Sequence, residues 1–352
     1  MDKSIMGLES VKEYYGKILK SSDDLKTNAC CTTESMPSHL REILKDIHEE
    51  VKDKFYGCGS PIPTALSGKT VLDLGSGSGR DCYLLSKLVG PTGKVIGVDM
   101  TDEQLQVARK HVDYHTKKFG YSNSNVEFIS GYIEDLESAG IKSESVDLVT
   151  SNCVVNLSPA KRRVFSEVFR VLRPGGELYF SDVFASRRIP TDIASDDVML
   201  GECLGGALYT EDFRRLLYDL GCKDFRVTSK TKIALNNNEL QQKAGLIDFY
   251  SITVRAFKLE LEDRCEDYGQ VATYLGGIKE SPNAFVLDDH HTFEKDRPLL
   301  VCSNTAMMLQ NTRYGEYFKI VGDLKTHFGL FDCGPKGSLD SQRDSENVGQ
   351  CC

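Results

Sequence analysis

The stretch "VLDLGSGSGRD", Val71 to Asp81, decides the fold. An apolar run leads directly into three glycines at alternating positions, Gly75, Gly77 and Gly79, and the residues after them have a helical pattern. Glycine adopts the dihedral angles of tight turns, and its missing side chain lets a ligand approach the backbone. The stretch therefore predicts a strand, a ligand-binding turn and a helix, the first unit of an α/β sheet.

The same alternation continues along the chain. Apolar runs in "KVIGVDM", "NVEFIS", "VDLVTSN" and "GELYFSDVF" are separated by segments with helical periodicity. Strands that alternate with helices predict a mostly parallel sheet covered on both faces. Two connecting helices have start signals: Thr101 with Gln104 as a capping box, and Ser158 with Pro159 as N-cap and first helical residue.

Composition limits the function. With 43 basic and 52 acidic residues the formal net charge is −9, which disfavours a nucleic-acid partner. No apolar run approaches the roughly 20 residues of a membrane span, and the N-terminus has no apolar core of a secretory signal. We expect a cytoplasmic protein without a membrane partner. Its twelve cysteines are then more consistent with reduced, metal-binding or catalytic thiols than with disulfides.

The regions around the sheet differ in pattern. Apolar residues at helical spacing in 11–19 and from about Leu40 to Phe55 predict helices before the sheet. After it we expect helices at 191–200 and 210–220 and strands near 223–235 and 248–260. The predicted divisions are a helical N-terminal region (1–66), a Rossmann-like domain (67–186), an α+β subdomain (187–260), a C-terminal domain (261–333) and a flexible tail (334–352) that ends in Cys351 and Cys352.

The glycine spacing distinguishes two cofactor classes. Dinucleotide sites use GxGxxG, whereas Gly75, Gly77 and Gly79 follow GxGxG. The pattern resembles motif I of class I S-adenosylmethionine-dependent methyltransferases, which implies S-adenosyl-L-methionine as co-substrate, with no other cofactor, and Asp99 on its ribose. For Met100 and Ile133, an ordinary core position remains the alternative. The predicted cofactor-binding residues are Tyr56, Asp73, Gly75, Ser76, Gly77, Gly79, Asp99, Met100, Thr101, Gln104, Ile133, Glu134 and Asn152.

A cysteine follows the fourth predicted strand, where ligands bind in open α/β sheets. Cys153, in "TSNCVVNLSP", lacks the preceding proline or threonine of the nucleophile in cytosine C5 methyltransferases. Thiolates also bind soft acceptors, and two further cysteines, Cys58 in "KFYGCGSPIP" and Cys203 in "GECLGGALY", stand beside glycines. The chain has no CxxC pair, which argues against a structural zinc site.

Several of these motifs, in order, resemble those of arsenite methyltransferases over roughly residues 11–260. They include "YYGKIL", "DLKTNAC", "KFYGCG", "LDLGSGSGRDCY", "SNCVVNL" and "GECLGGALY". The resemblance implies a Rossmann-like class I methyltransferase sheet with a helical N-terminal region and appended α+β As(III)-binding and C-terminal domains. It also implies methyl transfer from S-adenosylmethionine to trivalent arsenic held by Cys58, Cys153 and Cys203.

The resemblance further implies how the cysteines work. Three thiolates leave the arsenic lone pair facing the methyl group, and no general base is needed because arsenic loses no proton. Cys30 would pair transiently with Cys58, and thioredoxin or glutathione would restore the thiols. The doublet of Cys30 and Cys31 leaves open which member pairs. Arsenite or its glutathione and other thiol conjugates would be the substrate.

Two alternatives remain at this stage. The chain could be a small-molecule carbon methyltransferase of the ubiquinone or sterol type, or a non-catalytic soft-metal-binding protein. Among the other cysteines, Cys82 and Cys222 are predicted to be small core residues. The remaining three before the tail match no motif: Cys265, Cys302 and Cys333.

Overall fold

The computed structural model describes residues 12, 36–55, 57, 61–196, 199, 203–235 and 238–333. Several sequence predictions lie outside these ranges: Cys30, Tyr56, Cys58, the tail 334–352 and, except for Lys12, the helical pattern at 11–19. Within the described ranges, no helix is long and apolar enough to cross a lipid bilayer.

An eight-stranded sheet forms the centre of the fold. Its strands are β1 (Thr70–Leu74), β2 (Lys94–Asp99), β3 (Val126–Ser130), β4 (Val146–Asn152), β5 (Leu172–Ala185), β6 (Leu208–Tyr209), β7 (Phe225–Lys232) and β8 (Phe249–Phe257). They lie in the order β3-β2-β1-β4-β5-β8-β7, and β6 pairs with β5. Strands β1 to β5 pair in parallel, whereas β8 is antiparallel to β5 and β7. This arrangement confirms the predicted α/β sheet.

Helices cover both faces of the sheet. The helices of the described residues are α1 (Ser38–Leu44), α2 (Glu49–Asp53), α3 (Arg80–Val89), α4 (Asp102–Lys110), α5 (Val112–Phe119), α6 (Lys161–Val171), α7 (Thr191–Ala194), α8 (Thr210–Asp219), α9 (Asn238–Ala244) and α10 (Ser303–Gln310), of which α10 packs away from this sheet. Successive side chains of a strand point to opposite faces. Val71 accordingly packs in one apolar cluster with Leu84 of α3, and Leu72 in another with Val164 of α6. The apolar run of β1 is continuous because both of its faces are buried.

Two helix starts differ from the sequence prediction. Thr101 is the N-cap of α4, as predicted, but its side chain makes no capping hydrogen bond in the described structure. The prediction for Ser158 was wrong, because α6 begins at Lys161 with Ala160 as its N-cap. The Ser158 hydroxyl accepts a hydrogen bond from the Ala160 N–H at 3.1 Å and donates one to Glu134. The hydrogen bond to Glu134 holds Ser158 against the loop after β3, outside the helix.

Three other segments can be compared directly. The pattern from Leu40 to Phe55 forms two short helices, α1 and α2, because residues 45–48 turn between them. Within the helix predicted at 191–200, Thr191–Ala194 form α7, Ser195 and Asp196 are not helical, and Met199 is helical again. The helix predicted at 210–220 is confirmed by α8, and the two predicted strands by β7 and β8.

A second group of strands follows the main sheet. These are β9 (Glu266–Asp267), β10 (Gln270–Tyr274), β11 (Ala284–Val286), β12 (Thr292–Glu294), β13 (Pro298–Val301), β14 (Phe318–Val321) and β15 (Gly329–Leu330). They form a three-stranded sheet in the order β13-β10-β14 and the two-stranded pairs β11-β12 and β15-β9. The group has its own apolar cluster, in which Tyr274, Phe285 and Phe293 are buried.

Buried charges connect this second group to the main sheet. Glu177 on β5 forms an ion pair with Arg255 on β8, with 2.7 Å between Oε1 and Nε, and a second one with Arg313. The guanidinium of Arg255 also donates to the hydroxyl of Tyr314 at 2.7 Å. Glu177 and Tyr314 are 0% exposed. One carboxylate therefore balances two buried guanidinium groups that belong to different parts of the chain.

We expect Glu177→Gln to lower the free energy of unfolding by about 3–5 kcal/mol, because it leaves two buried guanidinium groups without their counter-charge. The control is Glu294→Gln, which removes an exposed pair with Arg297 (N–O distance 2.8 Å) and should change stability by less than about 1 kcal/mol. Urea denaturation followed by circular dichroism measures both. Equal stability of the two variants would contradict the assigned role of Glu177.

Candidate active site

The main pocket lies at the carboxyl ends of β1 and β4. The strand order reverses between these two strands, and ligands of open α/β sheets bind at such a crevice. The pocket has a volume of about 980 Å³, including its open mouth. Its lining residues are Lys54, Phe55, Asp73, Gly75, Ser76, Gly77, Ser78, Asp81, Asp99, Met100, Thr101, Gln104, Gly131, Ile133, Glu134, Asn152, Cys153, Val154, Leu157 and Ser158.

The glycine turn forms the floor of this pocket. Gly75 and Gly77 have φ angles of 67° and 51°, in the left-handed region that favours glycine. A Cβ atom at Gly75 would lie 2.4 Å from a methyl carbon of Val154, in the loop after β4. Gly79 differs in role, since it caps α3 outside the pocket lining, and a Cβ there would lie 2.8 Å from the ring of Phe128. Gly75 and Gly77 therefore bring their backbone to the pocket surface, and Gly79 lets Phe128 pack against the start of α3.

Asp99, at the end of β2, is the acceptor suited to a diol. One carboxylate oxygen accepts from the N–H of Gly77 and the other from the N–H of Thr101, each at 2.8 Å. Burial raises the pKa of Asp99, and these backbone hydrogen bonds oppose that rise. The Thr101 side chain also hydrogen-bonds Asp99, and a ribose diol would displace it. A carboxylate offers about four lone-pair sites, so beside the N–H groups of Gly77 and Thr101 it can then accept from two hydroxyl groups. This capacity fits the ribose of an adenosyl group.

Two further acidic side chains line the pocket. Asp73 accepts a hydrogen bond from the thiol of Cys82 at 3.2 Å, and burial together with the charge of Asp81 raises its pKa well above the ordinary value. Asp81 pairs with Arg80 at 2.7 Å and accepts from the side-chain amide of Asn152 at 3.0 Å. A cationic ligand would relieve the repulsion between these carboxylates. The pocket therefore fits a sulfonium compound better than an anion.

The adenine side of the pocket comes from the loops after β2 and β3. Met100, Thr101 and Gln104 follow β2, and Ile133 and Glu134 follow β3. Ile133 also belongs to the main apolar cluster, so it is both a core residue and a pocket-lining residue. An apolar wall with polar groups at its ends is the usual form of a site for a flat heterocycle.

Cys153 and Cys203 share an uncommon backbone conformation. Their φ angles are 57° and 62°, in the left-handed region that side chains other than glycine rarely adopt. The Cys203 thiol donates to the backbone carbonyl of Cys153, with 3.4 Å between sulfur and oxygen. Both residues are at least 95% buried, Cys203 at 0% exposure and Cys153 at 5%. Backbone strain of about 1–3 kcal/mol per residue concentrates at functional sites, and here it falls on two predicted arsenic ligands.

The loop of Cys203 is fixed against the segment after Cys153. The side-chain amide of Asn156 donates to the carbonyl of Val183 at 2.6 Å and to that of Cys203 at 3.4 Å. A Cβ atom at Gly206 would lie 2.0 Å from the carbonyl oxygen of Asn156, so only glycine permits this approach. The two cysteines, distant in sequence, are thus held together by Asn156.

A buried cation lies beside these cysteines. The ammonium of Lys161 donates to the carbonyls of Asn156 and Ser158 at 3.2 and 2.9 Å. Burial lowers the pKa of Lys161, while the negative charges of Asp182 and Cys203 raise it. Burial also raises the pKa of Asp182 to about 7. Burial outweighs these negative charges, so the net pKa of Lys161 is lowered. Its ammonium is nevertheless a cationic neighbour of Cys203, as is found beside reactive cysteines.

The structure brings most of the predicted site together. Apart from Gly79 and Cys203, the described members of the predicted set line the pocket, and Cys203 contacts Cys153 next to it. The sulfur of Cys153 is held in a disulfide, so the thiolate form requires its reduction. The prediction that Cys82 and Cys222 are buried core residues is confirmed. Sequence reasoning missed other lining residues, of which the charged or polar ones are Lys54, Ser78, Asp81 and Ser158.

Comparison with known proteins agrees with the pocket. Residues 65–221 match the model of a methyltransferase domain family, and residues 267–352 match that of the arsenite methyltransferase C-terminal domain. The sheet, the glycine turn and Asp99 together define the class: the protein is an S-adenosylmethionine-dependent methyltransferase.

Relatives that match most of the chain indicate which methyltransferase family it belongs to. An arsenite methyltransferase of Aquipseudomonas alcaligenes is 51% identical over 98% of this chain and 99% of its own length. That of Homo sapiens is 46% identical over 89% of this chain and 83% of its own. The crystal structure of an arsenic(III) S-adenosylmethionine methyltransferase from Chlamydomonas reinhardtii is 50% identical, with a TM-score of 0.82, and covers 85% of this chain and 100% of that one. This chain belongs to the arsenite methyltransferase family.

We expect Asp99→Asn to weaken S-adenosylmethionine binding by about 10- to 100-fold, because hydrogen bonds to an ionised acceptor contribute about 1.5–3 kcal/mol. Isothermal titration calorimetry measures the dissociation constant. The matched control is Asp102→Asn, three residues further on, whose carboxylate is 61% exposed. An unchanged dissociation constant for Asp99→Asn would rule out the ribose role.

Proposed function

We propose that this protein transfers methyl groups from S-adenosylmethionine to trivalent arsenic held by the thiolates of Cys58, Cys153 and Cys203, giving methylated arsenicals. One observation carries the proposal: Cys203 contacts the backbone of Cys153, and Cys153 lines the pocket of the methyl donor. The relatives named arsenite methyltransferases support arsenite as the substrate. Thiolates are the protein ligands that soft acceptors prefer.

The third ligand is proposed on the basis of its neighbour. Cys58 lies outside the described residues, but Gly57 is described. A Cβ atom at Gly57 would lie 2.8 Å from the side-chain carbon of Asn152, the residue before Cys153. Consecutive Cα atoms are about 3.8 Å apart. The covalent link to Gly57 therefore supports including Cys58 in the set.

S-adenosylmethionine supplies an electrophilic methyl group on a sulfonium sulfur. In the proposed site Asp99 binds the ribose hydroxyls, while Met100 and Ile133 flank the adenine. The carboxylates of Asp73 and Asp81 favour the positive charge of the donor. Asn152 lies between the two halves of the site, since its amide donates to Asp81 and its backbone leads into Cys153.

The main catalytic contribution of the protein is positioning. Three thiolates complete the coordination of trivalent arsenic and leave its lone pair as the nucleophile, so no side chain has to remove a proton. Orientation of two reactants lowers a barrier by as much as about 7–11 kcal/mol. The buried backbone around Cys153 and Cys203 is fixed by the carbonyls of Ser181 and Val183, which accept from the N–H of Cys153 at 2.9 Å and from Asn156.

The cysteines also require a reductant in this proposal. Because Cys153 is disulfide-bonded, the proposed thiolate site has to be reduced before arsenic can bind. Cys30 or Cys31 would exchange with Cys58, and thioredoxin or glutathione would return the thiols. We assign arsenic binding to the subdomain 187–260 together with the cysteine loop after β4, and the segment 261–333 to a separate C-terminal domain.

We expect Cys153→Ser and Cys203→Ser each to lower arsenite methylation by at least about 100-fold, since a lost thiolate removes both affinity and alignment. The assay incubates protein, labelled S-adenosylmethionine, arsenite and a thiol reductant, and identifies the arsenic species formed. Cys222→Ser is the control, because Cys222 is buried at 4% exposure in the main apolar cluster. Full activity of both site variants would refute the thiolate mechanism.

We expect Lys161→Met to move the pH profile of methylation to higher pH, because removing a nearby positive charge disfavours a thiolate. Lys161→Arg keeps the charge and should restore the original profile in large part. The measurement is the initial rate between pH 6 and 10. A lower rate with an unshifted profile would show that Lys161 has only a structural role.

A further inference from the structure

Three cysteines that match no sequence motif come together after the main sheet. The sulfur atoms of Cys265, Cys302 and Cys333 all lie within 4.8 Å of one another. Cys302 is 0% exposed, whereas Cys265 and Cys333 are half-buried. None of the three lines the pocket of the methyl donor. The cluster is therefore a separate group of thiols that small solutes can reach.

Backbone pairing holds two of these cysteines in place. Cys265 directly precedes β9, and Cys333 follows β15, the antiparallel partner of β9. The N–H of Phe331 donates to the carbonyl of Cys265 at 2.7 Å, which extends the pairing toward Cys333. The third cysteine, Cys302, is the N-cap of α10. Three separate elements thus present their sulfur atoms to one point.

The surroundings favour thiolates. The sulfur of Cys302 accepts a hydrogen bond from the N–H of Thr305 at 3.4 Å, at the positive end of the helix dipole. The guanidinium of Arg226 lies 3.8 Å from the same sulfur. Arg226 is 8% exposed and pairs with Asp224 at 2.8 Å. Cationic neighbours and helix N-termini stabilise a thiolate relative to its thiol.

We propose that Cys265, Cys302 and Cys333 form a second binding site for trivalent arsenic, distinct from the proposed methyl-transfer site. Binding of arsenous acid would break three As–O bonds and form three As–S bonds; the three thiol protons leave with the hydroxyl groups as three water molecules, and no oxidant or reductant is consumed. Sulfur atoms bound to one centre at about 2.3 Å lie less than about 4 Å apart. Closing the cluster from its present spacing requires movements of less than about 1 Å.

Ligand number favours arsenic over zinc. Structural zinc sites use four protein ligands, and no fourth cysteine, histidine or carboxylate joins these three among the residues that the structure describes. Trivalent arsenic is complete with three thiolates, and the resulting group is electrically neutral. Zinc on the same three thiolates would be left with an open coordination position. The site would join the segment of β15 to α10 and so stabilise this part of the chain.

The test uses the full-length protein with Cys153→Ser and Cys203→Ser, which removes the proposed transfer site and keeps the second site. After reduction, the protein is dialysed against arsenite alone, and bound arsenic is counted by elemental analysis. We expect that adding Cys302→Ser, or separately Cys265→Ser, removes one arsenic per chain. Adding Cys222→Ser should leave the count unchanged. Arsenite should also raise the melting temperature of the parent and not that of the Cys302→Ser form.

Equal arsenic counts in the parent, the Cys302→Ser and the Cys265→Ser forms, all folded by circular dichroism, would overturn the second site. A cluster that binds Zn²⁺ alone and does not exchange it for arsenite would also overturn it. Cys302→Ser in the otherwise natural chain should retain methylation activity. The two proposals fail separately, since the transfer site is judged by methylation and the second site by arsenic bound without it.

Discussion

The close contact between the turn after β1 and the loop after β4 determines the rest of the site. The strands pair in parallel with Leu74 opposite Ser151, so both loops leave the sheet at the same edge. Val154 occupies the space that a side chain at Gly75 would need. Because of this contact, the segment that carries Cys153 lies directly over the glycine turn. A methyl donor bound over the glycine turn would therefore lie close to Cys153.

Charged side chains lie both in the pocket and beside Cys203. The carboxylates of Asp73, Asp81 and Asp99 surround the donor half, where a sulfonium cation is favoured. The ammonium of Lys161 lies beside Cys203, outside the pocket lining, and Asp182 and Glu134 are also near it. Burial, and after it the charge of Asp73, raises the pKa of the Cys82 thiol well above its ordinary value. Cys203 therefore has a cation beside it, whereas Cys82 has a carboxylate.

Sequence patterns predicted the features that depend on residues close together in the chain. The strands, the glycine turn and Asp99 follow from periodicity and motif, and Cys153 from its position after a strand. The helix start at Ser158 was wrong because its hydroxyl interacts with Glu134, a tertiary contact that no local rule contains. The cluster around Cys302 could not be predicted, since its members come from three elements whose pairing only the fold determines. Likewise, the link between Glu177 and Arg313 depends on how the second group of strands packs.

The central claim is that thiolates from separate segments hold the arsenic substrate beside the methyl donor. Arsenic K-edge X-ray absorption tests it most directly, on full-length reduced protein that carries Cys302→Ser and one equivalent of arsenite. We predict three sulfur neighbours around arsenic, reduced in number when Cys203→Ser is added and unchanged when Cys222→Ser is added instead. Oxygen neighbours in the parent, or an identical sulfur shell in the Cys203→Ser form, would contradict the account.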